Sequence, residues 1–155
     1  MGQEIEKKFL VVSDAWKDQA TKRVRYRQGY LCGNERSSVR IRVSDDTAYL
    51  NIKSATLGVQ RQEFEYAIPA RDARELLDTL CIQPLIEKTR HYVPHGDHVW
   101  EVDVFEGDNA GLVVAEVELR HVDEIPALPS WVGEEVSHDV RYYNTSLVRH
   151  PYKDW

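Results

Sequence analysis

Residues 37–44 have the sequence SSVRIRVS, and they decide the fold class because apolar and charged side chains alternate along them without a break. One face of such a strand is apolar and the other carries two arginines: Val39, Ile41 and Val43 against Arg40 and Arg42. The pair Asp45-Asp46 is typical of a hairpin turn, and residues 47–54 (TAYLNIKS) then alternate again. This stretch predicts an antiparallel hairpin with one apolar and one charged face.

The same period of two recurs on both sides of this hairpin. Further strands are predicted at residues 3–10, 22–31, 59–68, 85–93, 98–105 and 112–120. The period changes to a helical one over residues 70–80, where Pro69 suits the first turn, and the tail is predicted to be helical from about Tyr142. Residues 13–19 predict a short helix or turn, and residues 125–133 predict a loop. We find no repeat or linker, so the sequence predicts one α+β domain over residues 1–155.

Composition limits the classes of function. The 155 residues carry 20 Lys and Arg against 26 Asp and Glu, a formal net charge of −6, which disfavours a broad basic surface for long nucleic acid. No apolar run approaches the roughly 18–20 residues of a membrane span, and no signal-peptide pattern is present, so we expect a cytoplasmic protein without a membrane partner. Cys32 and Cys81 belong to no disulfide or zinc pattern.

The charges are sorted by strand. Four strands carry acidic pairs two residues apart: Glu4/Glu6, Glu63/Glu65, Glu101/Asp103 and Glu116/Glu118. Three others carry cations: Arg40/Arg42, Lys53, and Lys88/Arg90. Residues two apart on a strand point the same way at about 6–7 Å, so like charges repel unless something bridges them. Divalent cations bridge carboxylates and a polyanion bridges cations, so the pattern indicates a metal–polyphosphate site.

The strands alone leave the topology open. If the charged faces looked at water, the sheet would be an ordinary open one, and its apolar face would need a cover of helices, a second sheet or a subunit partner. If the sheet closed, the charged faces would line an interior, and about eight strands suffice for a barrel that holds one small ligand.

The motifs resemble those of the CYTH domain, or triphosphate tunnel metalloenzyme, superfamily. Residues 4–8 (EIEKK) resemble its ExExK signature, and the remaining motifs follow in the family's order over nearly the whole chain: QGYL at 28–31, RIR at 40–42, NIK at 51–53, RQEFE at 61–65, EKTR at 87–90, WEVD at 100–103, EVE at 116–118 and DVRYYNTSL at 139–147. The resemblance implies an eight-stranded antiparallel closed β-barrel with flanking helices, and Mg²⁺- or Mn²⁺-dependent chemistry on a small-molecule triphosphate.

The resemblance also implies roles for particular residues. The best metal ligands are Glu4, Glu6, Glu116 and Glu118, while Glu63, Glu65, Glu101 and Asp103 are expected at a second metal, directly or through water. Phosphoryl oxygens are expected on Lys8, Arg40, Arg42, Lys53, Lys88 and Arg90. Lys53, Lys88 and Tyr30 are the candidate catalytic bases, and a carboxylate or a metal-bound hydroxide would serve equally well.

Three functions remain open at this point. Hydrolysis of inorganic triphosphate to pyrophosphate and phosphate leads, because the short chain resembles the compact bacterial branch of the family. Hydrolysis or cyclisation of an organic triphosphate (thiamine triphosphate, ATP or another nucleoside triphosphate, or an RNA 5′ end) is the alternative, although the nucleoside pocket that a cyclase needs has no assignable motif. A polyphosphate-binding module without turnover is the third, and the intact acidic pairs disfavour it. Homodimers are common in the family, so a homodimer is also compatible with the sequence.

Overall fold

The computed structural model describes residues 2–155, so position 1 of the expected domain lies outside the described residues. The strands are β1 (Gln3–Val11), β2 (Lys22–Gly33), β3 (Ser37–Ser44), β4 (Thr47–Ser54), β5 (Gln60–Ile68), β6 (Ile86–His95), β7 (His98–Phe105), β8 (Val113–Glu118) and β9 (Val132–Glu135). The α-helices are α1 (Ala70–Thr79) and α2 (Asn144–Arg149), and short 3₁₀ turns occur at Ala15–Gln19, Gly107–Asn109, Val140–Tyr142 and Tyr152–Asp154.

The first eight strands close into an antiparallel barrel. Their order is β5-β4-β3-β2-β6-β7-β8-β1, and β1 pairs with β5 to complete the ring. That closing pair is short and brings Glu4 opposite Arg61. The predicted α+β class and closed eight-stranded barrel are therefore confirmed, and the choice left open by the alternation is settled in favour of closure.

The register turns the charged strand faces inward. Lys8 lies opposite Glu116 and Glu6 lies opposite Glu118 on the β1–β8 pair. Lys53 lies opposite Glu63 on the β4–β5 pair. Because side chains alternate between the two faces, these residues all project into the barrel interior, which we call the tunnel.

Apolar side chains on the outer face are covered from two directions. Helix α1 places Ala73 and Leu77, both fully buried, against Ile41 of β3. On the other side of the barrel, Trp131 lies 5.9 Å from Trp100, centroid to centroid, within a second apolar cluster. Helix and loop thus provide most of the cover that the alternating strands require.

One end of the tunnel is filled by apolar side chains. The same inward faces that carry charge continue into Ile86, Phe105 and Val114, and residues of the C-terminal segment pack on them: Tyr142, Leu147 and Val148. Because this packing is apolar and buried, it forms a plug rather than a ligand site. The charged cavity therefore begins where the plug ends.

Two features differ from the sequence-based expectation. The predicted loop at 125–133 runs into β9, which adds to β1 through Phe9 and Val11. A Cβ at Gly133 would lie 2.5 Å from Cγ1 of Val12, so the strand approaches more closely than a side chain allows. The tail begins as a 3₁₀ turn at Val140 and becomes α-helical only from Asn144. No helix among residues 2–155 is long and apolar enough to cross a membrane.

Candidate active site in the tunnel

The tunnel encloses a cavity of about 190 Å³ that is lined almost entirely by charged and polar side chains. All but one of the candidate site residues from the sequence line it: Glu4, Glu6, Lys8, Tyr30, Arg40, Arg42, Lys53, Glu63, Glu65, Lys88, Arg90, Glu101, Glu116 and Glu118. The exception is Asp103, which is fully buried behind the lining. The roles assigned to these residues stay predictions, but the barrel does bring them together.

The β3 wall of the cavity is basic and lacks anionic partners. Arg40 is 8% exposed, and neither it nor Arg42 lies within 4 Å of a carboxylate oxygen of residues 2–155. The Nε of Arg40 is buried and makes no hydrogen bond to any of residues 2–155. Burial and the neighbouring guanidinium groups of Arg40 and Arg90 lower the pKa of Arg42 to about 10. Buried cations normally have a partner, so this wall is built for an anion that the protein does not supply.

A second wall is acidic and holds surplus carboxylates. Burial, together with the carboxylates of Glu116 and Glu4, raises the pKa of Glu6 well above its usual value. Burial opposes ionisation of Glu116 as well, but Lys8 and Arg90 outweigh it and hold the pKa of Glu116 well below the ordinary value. Glu118 is exposed at the same edge and forms no ion pair within residues 2–155. Glu6 and Glu116 therefore disfavour each other's ionisation, and Glu6 is the one of the two that more readily holds a proton.

A third group lies where β1, β4 and β5 meet. Lys53 Nζ donates to both carboxylate oxygens of Glu4 at 3.1 Å and lies 3.5 Å from Glu63. Burial raises the pKa of Glu4, and neighbouring Glu63 adds to the rise, while Lys53 and Arg61 oppose it. Lys53 is thus engaged as an ion-pair partner of two carboxylates, which favours a binding role over its predicted role as a base.

A fully buried network surrounds Asp103. Its carboxylate accepts hydrogen bonds from Lys88 Nζ at 2.7 Å and from Arg90 Nε and Nη2 at 2.8 and 2.9 Å. Although burial alone would favour the protonated acid, these two cations lower the pKa of Asp103 to about 2. Both oxygens accept hydrogen bonds from these cations, and Asp103 itself does not line the cavity. These contacts suit Asp103 to be a counter-ion that positions Lys88 and Arg90, and its role as a metal ligand stays a prediction.

Lys88 combines burial with contact to the cavity. Burial lowers its pKa to about 7, and the nearby Arg90 and Arg42 guanidinium groups add to the fall while Asp103 opposes it. The 2.7 Å ion pair with Asp103 would by itself raise the pKa of Lys88. Because Arg90 also pairs with Asp103 and balances much of its charge, the effect of burial is larger and the pKa stays lowered. Tyr30, the other candidate base, is buried at the cavity wall with its ring in the apolar plug.

Several lining residues were not among the predicted site residues. Arg61 lies two positions before Glu63, so the period-two pattern groups it with the clustered cations, although it was assigned no role in the site. Tyr143 and Asn144 come from the C-terminal segment, where no strand pattern applies. Tyr143 donates its hydroxyl hydrogen to the Ser137 carbonyl at 2.6 Å, and its ring lies under the Arg61 guanidinium at 5.3 Å. This segment therefore anchors the plug and orients part of the cation set.

The donor set of the acidic wall fits a divalent cation by its chemistry. Carboxylate oxygens are the ligands that Mg²⁺ and Mn²⁺ prefer. Burial and then the carboxylates of Glu116 and Glu4 raise the pKa of Glu6, and a bound cation would favour its ionised form. As they stand, no three His, Cys, Asp or Glu side chains of residues 2–155 converge in a metal-holding arrangement. The oxygens of Glu116 face Lys8 at 3.5 Å and Arg90 at 3.8 Å instead.

Known proteins are similar to this chain in both sequence and fold. A sequence model of the CYTH domain matches residues 2–152. An inorganic triphosphatase of Acetivibrio thermocellus is 48% identical over 155 residues, which cover 100% of this chain and 99% of that protein. An inorganic triphosphatase of Nitrosomonas europaea is 37% identical over 150 residues, which cover 94% and 96%. A crystal structure of an inorganic triphosphatase superposes with a TM-score of 0.67 and 34% identity over 96% of this chain and 95% of that one. Since the match extends from the first strand to the C-terminal turn, this chain belongs to the CYTH domain family.

Proposed function

We propose that this chain hydrolyses inorganic triphosphate to pyrophosphate and phosphate inside the tunnel, with Mg²⁺ or Mn²⁺ as cofactor. The observation that carries the proposal is the buried Arg40, a guanidinium without an anionic partner that faces a cavity with an acidic wall. Two relatives that match this chain over nearly its full length are named inorganic triphosphatase, and they support the same substrate. A phosphoric anhydride provides both the anion that Arg40 lacks and oxygens for a metal on the carboxylates.

The basic residues would bind and orient the substrate. Arg40 and Arg42 offer planar donors to phosphoryl oxygens, and Lys8 adds a point charge beside them. These contacts would also offset the charge that grows on the leaving pyrophosphate when the bridging P–O bond breaks. Their preorganisation on rigid strands means that little reorientation is needed during the reaction.

The surplus carboxylates would hold the metal. The strongest candidate ligands are Glu6, Glu116 and Glu118. Three further carboxylates line the same cavity: Glu4, Glu63 and Glu65. A bound divalent ion supplies Lewis acidity and charge neutralisation at phosphoryl oxygens. Divalent-metal dependence is the requirement that the family implies, and Mg²⁺ or Mn²⁺ fits the all-oxygen donor set.

Lys88 is the base that the geometry favours. In its neutral form Nζ donates one hydrogen each to Asp103 and Asn144, which lie at 2.7 and 3.0 Å, and this leaves the lone pair for a proton from the attacking water. The water oxygen bonds to the terminal phosphorus, its proton passes to Nζ, and pyrophosphate leaves with the electrons of the broken P–O bond. Tyr30 would then act as a wall residue.

A neighbouring cavity supports organic triphosphates as a second candidate class. It measures about 290 Å³, shares Tyr30, Arg61 and Tyr143 with the tunnel, and is lined in part by Leu57 and Val140. Its more apolar lining suits an organic group attached to the phosphate chain.

The test is phosphate release with Mg²⁺ or Mn²⁺ from triphosphate, pyrophosphate, ATP and thiamine triphosphate at equal concentrations. We expect triphosphate to give the highest kcat/KM and Glu6→Gln to abolish turnover. Preference for ATP with cyclic AMP as product would replace hydrolysis by cyclisation. Binding of every triphosphate without turnover would identify a binding module instead.

A further inference from the structure

Asn144 is the first residue of α2 and lines the tunnel at the level of Lys88. Its Oδ1 accepts a hydrogen bond from Lys88 Nζ at 3.0 Å and a second from Gln28 Nε2 at 2.9 Å. A residue of the C-terminal segment is thus connected directly to the candidate base.

The amide orientation of Asn144 is fixed by a chain of donors. Arg42 has no acceptor atom, so its Nε, 2.9 Å from Gln28, must face the oxygen of that side chain. Gln28 is fully buried, and with its oxygen turned to Arg42 its NH₂ group must face Asn144. The NH₂ of Gln28 and the amino group of Lys88 both donate, so only the oxygen of Asn144 can face them.

The Asn144 NH₂ group is therefore on the other side of the amide and is free. Within residues 2–155 it makes no hydrogen bond. Asn144 borders the cavity, where the unpartnered Arg40 also lies. A neutral donor beside these cations is suited to an anionic phosphoryl oxygen and unsuited to a metal.

We propose that Asn144 is a catalytic residue with two contacts: Nδ2 donates to a phosphoryl oxygen of bound triphosphate, and Oδ1 holds the amino group of Lys88 in place beside the cavity. The triphosphate ligand in this inference rests on the proposed function. The Arg42–Gln28–Asn144–Lys88 chain then links two cavity-lining cations through two side-chain amides, of which that of Gln28 is fully buried, so that both cations are held in one geometry.

The test uses Asn144→Asp and Asn144→Ala, with steady-state hydrolysis of inorganic triphosphate at saturating Mg²⁺. Asn144→Asp keeps the acceptor but turns a carboxylate oxygen toward the substrate, so KM should rise by about 10- to 100-fold. Asn144→Ala removes both contacts, so kcat should fall together with a rise in KM. His150→Ala, an exposed change directly after the same helix, should leave both constants unchanged.

Thermal unfolding of each variant separates this role from a structural one. If Asn144→Ala fails to fold, the KM of Asn144→Asp still decides the matter. Wild-type constants in both Asn144 variants, beside an active wild type, would overturn the contact and leave the proposed function intact. A wild type that hydrolyses no triphosphate would overturn the proposed function and the contact with it.

Discussion

Replacement of Asp103 by Asn tests the buried network directly. The carboxylate accepts three charge-assisted hydrogen bonds, from Lys88 at 2.7 Å and from Arg90 at 2.8 and 2.9 Å, and none of these atoms contacts solvent appreciably. Asn has nearly the same shape but offers one acceptor oxygen, and its NH₂ group must face one of the two cations. The variant therefore leaves buried positive charge without a counter-ion.

The size of the effect follows from two considerations. Against the effect of burial, Lys88 and Arg90 lower the pKa of Asp103 from its ordinary value of 3.8 to about 2, which corresponds to about 2 kcal/mol of stability at neutral pH. Removal of one partner from a buried ion pair costs about 3–5 kcal/mol, which includes the new repulsion between the amide and the cations. We take the larger range, since the pKa accounts only for the proton. For a chain of this length it lowers Tm by about 6–20 °C.

The assay is thermal and urea unfolding of metal-free protein in EDTA at pH 7, followed by tryptophan fluorescence. The matched control is Asp108→Asn, which removes a surface ion pair with Lys153 at 3.2 Å and should change stability by less than about 1 kcal/mol.

The pH dependence of the difference has a definite sign. Because the pKa of Asp103 is depressed in the folded state, its contribution is full above about pH 4 and is lost as the pH falls toward 2. The gap between wild type and Asp103→Asn should therefore be about 1 kcal/mol smaller at pH 3 than at pH 7. If Asp103 were instead a metal ligand in a repelling cluster, Asp103→Asn would stabilise the metal-free protein. That opposite sign would refute the counter-ion role.

Three further outcomes follow from the cavity. Glu6→Gln should raise the Tm of metal-free protein by about 2 °C or more, because burial and the acidic neighbours raise the pKa of Glu6 and Gln mimics the protonated acid. In the same thermal unfolding assay, Mg²⁺ should stabilise wild type but not the variant. The rate of triphosphate hydrolysis should increase as pH rises through about 7, where Lys88 loses its proton, and Lys88→Arg should remove that limb along with most of the rate. Arg40→Ala should raise the KM for triphosphate by at least about 10-fold in the same assay, and an unchanged KM would contradict its phosphate contact.

Most of the site could be predicted because strands translate sequence into space simply. Residues two apart on a strand share a face. Arg40 and Arg42 therefore both project into the tunnel once the sheet closes, and so do Glu116 and Glu118. The prediction that the sheet closes into a barrel came from the family resemblance, because the alternating pattern fits an open sheet equally well.

The functions within the site could not be separated by the same pattern. Glu101 and Asp103 look like any other acidic pair, and only the pairing of Arg90 opposite Asp103 turns the second into a buried counter-ion. Asn144 was missed because its position depends on how the C-terminal segment packs onto the plug, a long-range contact that no local period encodes.

The unpaired charges of the cavity predict cooperative binding of metal and triphosphate. Triphosphate alone would satisfy Arg40 and Arg42 but would meet the carboxylates of Glu6 and Glu118, and a metal alone would satisfy the carboxylates and leave the arginines bare. Only the two together neutralise both walls. The coupling must be reciprocal, so each ligand should tighten the other by the same factor.

Lys88→Arg allows this coupling to be measured, because a permanently charged guanidinium cannot accept the proton and turnover should be too slow to interfere. Calorimetry on this variant should give at least about 10-fold tighter triphosphate binding with Mg²⁺ than in EDTA, after correction for metal bound to free triphosphate. Addition of the Glu6→Gln change should reduce the factor, since it removes a carboxylate from the acidic wall. Equal affinities with and without metal would mean that the two walls do not act on one ligand. In that case the net charge of −6 would come from ordinary surface residues, and the tunnel carboxylates would not contribute to it as metal ligands.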